Sequence, residues 1–364
     1  MMITRPDWSG MLAALHFIDC AGADMKRTCA KRHEVIAVGK DMVGRVLVTG
    51  GGGFLGSHVV KQLLEMGRHV RTTARDPKTA EFLKGFGNVE IVKMDLLDLD
   101  SVKAAVVGCE EVIHCAAPLY INAKNTQSDV VDPSINGTKN LVEALTNSNV
   151  KKIVHTSSVA AIRSTNFQDG RVFTTDDWCD DATLKTNPYG LAKAGAEKVM
   201  REWIKGSDIR LITIHPSILF GKTLHPRHLE GSMSYMKHFL AGPPFVLNIH
   251  INFVDVEDTA RAHVAALEKG VDGGRYLIHS GGMWMQEIGN HLAKVIPERK
   301  WAKRRLPNVF AYFFAIIHPK LSLRMLKYNL GRRVDYDASA QFDLIQNIRP
   351  VEEIIEETMR GLLS

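Results

Sequence analysis

Tyr189 and Lys193 stand four residues apart in a stretch where apolar residues recur every three or four positions. This spacing predicts a helix over residues 189–205, on which residues four apart share one face. An isolated phenol keeps its proton up to about pH 10, and a neighbouring ammonium makes that proton easier to release. The pair could therefore exchange a proton with a carbonyl oxygen, although a single match of this kind also arises by chance.

A second chemical feature is a turn of four consecutive glycines with a fifth glycine three residues later. It follows a predicted buried strand and opens a predicted helix. Glycines in this context allow a tight turn, close approach of a pyrophosphate and close helix packing, while the helix N-terminus offers N–H groups to phosphate. We therefore expect a dinucleotide site rather than a flexible loop. Its predicted contacts are Gly50, Gly53, Phe54, Leu55 and Gly56.

The residue after the second predicted strand bears on which dinucleotide is bound. An enzyme that uses NAD usually places an acidic side chain there, against the 2′-hydroxyl of the ribose. Here Arg75 comes first, and a guanidinium pairs naturally with the 2′-phosphate of NADP(H). The alternative is a solvated Arg75 with Asp76 on the ribose. The sequence thus favours NADP(H) and leaves NAD(H) as the second choice.

The elements that must position these residues alternate between short β-branched runs and amphipathic stretches from Gly44 onwards. This alternation indicates βαβ units, whose right-handed crossovers place helices on both faces of one sheet. We predict an α/β fold: a Rossmann doubly wound parallel sheet with a smaller, interleaved C-terminal substrate domain. The predicted strands are Val46–Thr49, His69–Ala74, Val89–Lys93, Glu111–Cys115, Lys151–Ser157 and Ile209–His215. The predicted helices are Ser57–Met66, Ser101–Val107, Gly137–Leu145 and Tyr189–Lys205.

The same pattern predicts three parts of the chain. Residues 1–43 lack strand alternation and are expected to be an N-terminal extension, poorly ordered or an artefact of the gene model. Residues 44–222 with about 251–268 are predicted to bind NADP. Residues 223–250 with 269–364 are predicted to bind the substrate.

The order of these features resembles the extended branch of the short-chain dehydrogenase/reductase family, within the NAD-dependent epimerase/dehydratase superfamily. The spacing of Gly50, Gly53 and Gly56 is typical of that family, and the Ser157-Ser158 pair precedes Tyr189 as the family requires. The resemblance covers about nine-tenths of the chain and extends to the dihydroflavonol-reductase-like group, which includes aldehyde and ketone reductases. Its further landmarks are His114–Pro118, Gly137–Asn140, His215–Ser217 and Phe253–Asp258.

The resemblance implies an NADPH-dependent reductase of a small or medium aldehyde or ketone. Tyr189 would donate a proton to the carbonyl oxygen, Lys193 would also hold the nicotinamide ribose, and Ser158 would bind the substrate oxygen, with Ser157 as the alternative. The other implied cofactor contacts are Asp95, Leu96, Ala116, Ala117, Pro216 and Ser217. The implied substrate contacts are Pro118, Leu119 and Ser158. Apolar residues near the landmarks suggest a pocket lined by Tyr120, Leu224, Tyr235 and Phe239.

Three rival functions share these features. A sugar-nucleotide epimerase or dehydratase would hold NAD tightly on the same fold. A 3β-hydroxysteroid or sterol dehydrogenase would associate with membranes through an apolar segment such as Val309–Ile317. An NADP-sensing binding protein would keep the nucleotide site without turnover, but the intact pair of Tyr189 and Lys193 argues against it.

The composition of the chain argues against several other classes of function. The 364 residues carry a net charge of +6 with no run of five basic residues, so nucleic-acid binding is not expected. Five cysteines lack metal-ligand spacing, which predicts no metal and a reducing compartment. Val309–Ile317 is less than half the roughly 20 residues that span a bilayer, and we expect a core helix there. A cytoplasmic homodimer is favoured, with organelle targeting by the extension as a weaker alternative.

Overall fold

A seven-stranded parallel sheet forms the centre of the computed structural model, which describes residues 44–118, 123–317 and 323–364. Its strands are β1 (Val46–Thr49), β2 (Val70–Ala74), β3 (Val89–Lys93), β4 (Glu111–His114), β5 (Lys152–Thr156), β7 (Arg210–Pro216) and β10 (Arg275–Ile278). They lie in the order β3-β2-β1-β4-β5-β7-β10, each parallel to its neighbours. The strand order reverses between β1 and β4, and sheets of this kind bind ligands at such a point.

Helices cover both faces of this sheet. The helices are α1 (Phe54–Glu65), α2 (Leu99–Val106), α3 (Asp132–Leu145), α4 (Pro188–Ile204), α5 (Ser234–Leu240), α6 (Val256–Lys269), α7 (Met285–Val295), α8 (Asn308–Ile317), α9 (Leu323–Asn329) and α10 (Val351–Leu363). On one face α1 and α6 pack together and bury Val59, Leu63 and Ala260. On the other face α2, α3 and α4 bury Leu141 and Met200.

A second, smaller core lies in the C-terminal half. It contains a three-stranded sheet of β8 (Ile218–Phe220), β9 (His250–Asp255) and β11 (Gly281–Trp284). Phe220 and Phe253 stack at 5.2 Å between ring centroids and pack with Phe239 and residues of α7 and α10. A further pair, β6 (Arg171–Phe173) and β12 (Val334–Tyr336), joins distant parts of the chain. Gly44–Ser364 form one compact unit.

The predicted α/β fold with a parallel, Rossmann-like sheet is confirmed, and β1 and β3 have the predicted bounds. All four predicted helices begin earlier than predicted, and the difference is largest for two of them. The first, α1, starts at Phe54 because glycines that line a turn also serve its first turn. The third, α3, starts at Asp132 and carries Pro133 in its first turn, where the missing N–H of proline costs nothing.

Two features of the C-terminal half differ from expectation. Arg275–Ile278, which the predicted boundaries assign to the substrate part, supply the edge strand β10 of the central sheet. The expected core helix at Val309–Ile317 is wrong, because most of the side chains of α8 are exposed: Val309 is 79% exposed and Ile316 is 72% exposed. The hydropathy of α8 predicted its helical form and length but not its surroundings.

Candidate active site

One cleft of about 1870 Å³ opens at the carboxyl ends of the central strands. Residues that directly follow β1, β2, β3, β4, β5 and β7 line it, as expected for a parallel sheet of this kind. Every predicted catalytic, cofactor-binding or substrate-binding residue that the structure describes lines this cleft, apart from the more general pocket residues considered below. These are Gly50, Gly53, Phe54, Leu55, Gly56, Arg75, Asp95, Leu96, Ala116, Ala117, Pro118, Ser158, Tyr189, Lys193, Pro216 and Ser217. Leu119, a predicted substrate contact, and Tyr120 lie outside the described residues.

Backbone geometry explains the glycines after β1. Gly50 has a φ of +69°, and a Cβ on it would lie 2.9 Å from Cα of Ala116. A Cβ on Gly56 would overlap the carbonyl oxygen of Gly50, so α1 could not approach the strand as closely. The N–H of Gly53 donates to the carbonyl of Gly50 at 3.0 Å and closes the turn. The N-terminus of α1 therefore meets the cleft as bare backbone, which is the arrangement that binds phosphate groups.

Gly51 is a further requirement, and the glycine spacing alone does not predict it. A Cβ on Gly51 would overlap the hydroxyl oxygen of Thr72. That hydroxyl is already committed, because it donates to the carbonyl of Val48 at 2.8 Å and ties β2 to β1. Gly51 is thus needed for packing, whereas Gly50 is needed for the turn.

Arg75 is exposed at the end of β2 and lines the cleft. It forms no ion pair with a carboxylate within the described part of the chain. The neighbouring Asp76 caps a 3-10 helix over Pro77–Phe86, and its carboxylate accepts a bond from the N–H of Lys78 at 3.1 Å. The acid is therefore engaged with the backbone, while the guanidinium is available to an anion in the cleft.

The loop after β3 is held by the middle of α3. The amide of Asn140 donates to the carbonyl of Leu96 at 2.8 Å, and a Cβ on Gly137 would lie 2.9 Å from Cβ of Leu96. The carboxylate of Asp95 accepts from the N–H of Leu97 at 3.0 Å. The landmark Gly137–Asn140 thus fixes the place where Asp95 and Leu96 border the cleft.

Tyr189 and Lys193 lie one turn apart near the start of α4. Asn187 caps this helix, because its side-chain oxygen accepts from the N–H of Gly190 at 2.9 Å. The ammonium of Lys193 donates to the carbonyl of Thr156 at 3.1 Å and so ties α4 to the end of β5. The predicted pair therefore shares one helix face at the cleft, with the cation held by the strand beside it.

Three buried histidines surround this cation without adding charge. Burial and the Lys193 ammonium lower the pKa of His114 to about 3. Burial lowers the pKa of His263 to about 4, and burial lowers that of His155 well below its usual range. The ring of His263 lies 2.9 Å from the hydroxyl of Thr156. All three imidazoles are therefore neutral at pH 7 and add no positive charge beside the Lys193 side chain.

The two adjacent serines have different surroundings. The hydroxyl of Ser157 donates to the carboxylate of Glu197 at 2.7 Å, and Ser157 is 1% exposed. The hydroxyl of Ser158 accepts from the N–H of Ala160 at 3.1 Å, which leaves its own proton for another acceptor. Ser158 is therefore the serine whose hydroxyl can donate a hydrogen bond in the cleft.

Glu197 is a buried residue that the motif analysis missed. Its carboxylate contacts His215 at 2.7 Å, Arg275 at 2.8 Å and Arg201 at 3.0 Å. Burial alone would raise the pKa of Glu197, but His215, Arg275 and the Ser157 hydroxyl hold it well below its usual range. Glu197 follows Lys193 by four residues, so helical spacing could have indicated that it shares the same face.

The remaining lining residues come largely from the C-terminal half. Tyr235 was predicted to line the pocket and does so. Leu224 is not among the lining residues, and Phe239 was wrongly predicted because it is buried in the smaller core. Segments far along the chain add aromatic and apolar groups that no motif marks. These are Phe245, Leu306, Phe314, Met325, Tyr328 and Tyr336.

The chain is similar to known proteins over most of its length. The model of the NAD dependent epimerase/dehydratase family matches residues 46–278. Anthocyanidin reductase of Arabidopsis thaliana is 31% identical over 322 residues, which cover 82% of this chain and 92% of that protein. Cinnamoyl-CoA reductase 2 of Medicago truncatula is 31% identical over 305 residues, which cover 80% of this chain and 89% of that protein.

A solved structure shows the same fold. Gre2 of Candida albicans, crystallised in complex with NADPH, superimposes with a TM-score of 0.73 and 24% identity. The match covers 88% of this chain and 99% of that protein.

Proposed function

The chain belongs to the NAD-dependent epimerase/dehydratase family and is an NAD(P)-dependent oxidoreductase of its extended reductase branch, and we propose that it reduces an aldehyde or ketone with Tyr189 as the proton donor. One observation carries this proposal. The phenol of Tyr189 and the ammonium of Lys193 share a helix face at the same cleft as the glycine turn.

In the proposed reaction Ser158, Tyr189 and Lys193 have different roles. The dinucleotide, when bound, supplies a hydride to the carbonyl carbon of the substrate. Ser158 donates a hydrogen bond to the carbonyl oxygen and orients it, and Tyr189 delivers a proton to that oxygen as negative charge develops there. Lys193 would stabilise the phenolate that remains, and it would also hold the nicotinamide ribose of the bound cofactor.

We propose NADPH as the preferred cofactor. Arg75 carries a charge that no carboxylate of the described residues neutralises, at the position where an enzyme that uses NAD would place an acid. Asp76, the acid available nearby, caps the helix Pro77–Phe86 instead. A guanidinium in this place pairs with the 2′-phosphate that distinguishes NADPH from NADH.

We propose that two parts of the chain bind the cofactor and the substrate in this cleft. Residues 44–222 with about 251–268 would bind the cofactor, and residues 223–250 with 269–364, apart from β10 of the central sheet, would bind a small or medium carbonyl compound. Aromatic side chains of the second group, such as Tyr235, Phe314 and Tyr328, line the cleft. Such a lining suits a substrate with aromatic or other apolar parts, and the relatives compared above are named for aromatic compounds.

A panel of aldehydes and ketones, assayed with NADPH and NADH in parallel, tests the proposal. We expect turnover with NADPH, and we expect Tyr189→Phe to lower kcat by at least about 100-fold while NADPH still binds. Tyr235→Phe is the matched control, since it removes another phenol of the same cleft. Turnover by Tyr189→Phe at the parent rate would refute the assigned role. Tight NADPH binding with no turnover of any carbonyl by the parent would favour a binding protein.

A further inference from the structure

The net positive charge of the chain comes from one segment. Residues 299–333 contain ten lysines and arginines and no aspartate or glutamate. Because the whole chain carries +6, all other residues together carry a net charge of −4. The segment contains α8 and α9 and borders the cleft through Leu306 and Tyr328. A single stretch of this protein is thus strongly basic on an otherwise slightly acidic molecule.

The same segment exposes an apolar helix face. On α8, Ala311 and Ala315 turn inward and pack with Leu326 and Leu330 in one small cluster. The opposite side carries large apolar side chains that are more than half exposed. We call these residues the 309–316 face: Val309 (79% exposed), Phe310 (55%), Phe313 (59%) and Ile316 (72%). An exposed apolar face of this kind marks an interaction site on a folded protein.

Basic residues flank this face on both sides along the chain. Lys303 and Arg304 precede α8, and Arg324 and Lys327 lie on α9, which packs against α8. All four are exposed, and in the ranges that the structure describes none of them forms an ion pair. Their charges are therefore available to an anionic partner beside the apolar face.

We propose that the 309–316 face and its flanking basic residues dock onto the surface of an anionic lipid bilayer, with α8 lying in the interfacial plane. The ten residues of α8 extend about 15 Å, half the hydrocarbon thickness, so the helix suits the interface rather than a span. No helix in the described ranges is long and apolar enough to cross a membrane. Apolar side chains in the acyl boundary with basic residues at the headgroups are typical of interfacial helices.

Two other occupants fit the face less well. A second copy of this chain, docked by two-fold symmetry, would bring two segments of ten basic residues together, and their repulsion opposes that contact. A protein partner usually makes hydrogen bonds across an interface, but α8 carries no charged residue, and its large side chains that are more than half exposed are all apolar: Val309, Phe310, Phe313 and Ile316. Hydrocarbon requires no such bonds.

Sedimentation with lipid vesicles tests the proposal. The full chain is mixed with vesicles of phosphatidylcholine alone, or of phosphatidylcholine and phosphatidylserine in equal amounts. We expect the bound fraction to be at least about fivefold higher with phosphatidylserine and to fall at high salt. The double substitution Phe310→Ser with Phe313→Ser should abolish binding. Phe342→Ser is the matched control, because Phe342 is an exposed phenylalanine (53%) outside the face.

Charge is tested separately. Lys303→Glu with Arg304→Glu should abolish binding to the anionic vesicles, whereas Lys151→Glu with Lys205→Glu, at exposed sites elsewhere, should not. Both doubles change the net charge equally. The proposal is overturned if the parent binds neither kind of vesicle, or if the charge control loses binding as fully as the flanking double. It is also overturned if the parent is a dimer that Phe310→Ser with Phe313→Ser dissociates, since a second copy would then cover the face.

Discussion

Two neighbouring hydroxyls at the end of β5 differ in what they can donate. The Ser157 hydroxyl donates its hydrogen bond to the buried carboxylate of Glu197, whereas the Ser158 hydroxyl accepts from a backbone N–H and can still donate in the cleft. From the residue types alone, either serine could bind the substrate oxygen. Only the position of Glu197, 40 residues further along the chain, separates them.

The proposed preference for NADPH depends on Arg75. Replacing this one side chain therefore tests the preference. We expect Arg75→Ala to raise KM for NADPH by roughly 10- to 100-fold, because a charged hydrogen bond to the 2′-phosphate contributes about 1.5–3 kcal/mol. KM for NADH should change little. Lys78→Ala removes an exposed charge three residues away and serves as the control. Equal losses with both cofactors would show that Arg75 does not read the 2′-phosphate.

At the scale of elements, the site depends on how closely β1, β2 and α1 approach each other. The turn after β1 has four glycines in sequence, but they do different things. Gly50 permits the left-handed bend, Gly51 leaves room for the Thr72 hydroxyl, and Gly52 has its nearest neighbour at 3.4 Å from the site of a Cβ. A pattern of glycines therefore hides several separate requirements.

Two alanine substitutions in this turn separate these requirements. We expect Gly51→Ala to lower the free energy of unfolding by about 1–3 kcal/mol, because its methyl group would displace the Thr72 hydroxyl from the Val48 carbonyl. Gly52→Ala should change it by less than about 0.5 kcal/mol. Urea unfolding of the chain without cofactor measures both. Equal stability of the two variants would contradict the packing role of Gly51.

The elements were largely predictable from the sequence because parallel strands are short, apolar and bounded by turns. The bounds of β1 and β3 were predicted correctly for this reason. Helix starts were harder, since glycine and proline in the first turns of α1 and α3 interrupt the apolar period. The exposure of α8 could not be predicted, because hydropathy describes a segment and not what covers it.

At the scale of the molecule, the catalytic cleft is partly built by residues that no local pattern connects. Motifs placed the glycine turn, Arg75 and Ser158 together because they follow strands of one parallel sheet, and Lys193 ties α4, which also carries Tyr189, to the end of β5. Leu306, Phe314 and Tyr328 reach the same cleft from more than 100 residues away in the chain. Their arrival depends on packing in the C-terminal half, so the substrate side could not be derived from spacing.

Buried neutral histidines make the whole fold sensitive to acid. A histidine whose pKa is lowered by folding stabilises the protein above the unfolded pKa of about 6.5, and that contribution is lost as the pH falls toward the folded pKa. Burial lowers the pKa of His114, His155, His263 and His279 in this way. We therefore expect the free energy of unfolding to fall steeply between pH 6.5 and about 4.

The contribution of a buried histidine to acid sensitivity can be tested at His155, because neither of its ring nitrogens has a hydrogen-bond partner among the described residues. We expect His155→Leu to keep most of the stability at pH 7.5 and to reduce the acid slope by up to about 1.4 kcal/mol per pH unit. His69→Leu, at an exposed position, is the control. Urea unfolding at pH 7.5 and pH 5 measures the slope. Parallel curves for parent and His155→Leu would refute the contribution of the buried ring.

Hydride transfer to a carbonyl carbon at the cleft can be followed with an isotope. A carbonyl substrate is reduced by the parent protein with NADPH that carries deuterium at both positions of the nicotinamide C4. We expect one deuterium on the carbinol carbon of the product, formed at a rate that Tyr189→Phe lowers by at least about 100-fold. A product without deuterium at that carbon would contradict this expectation.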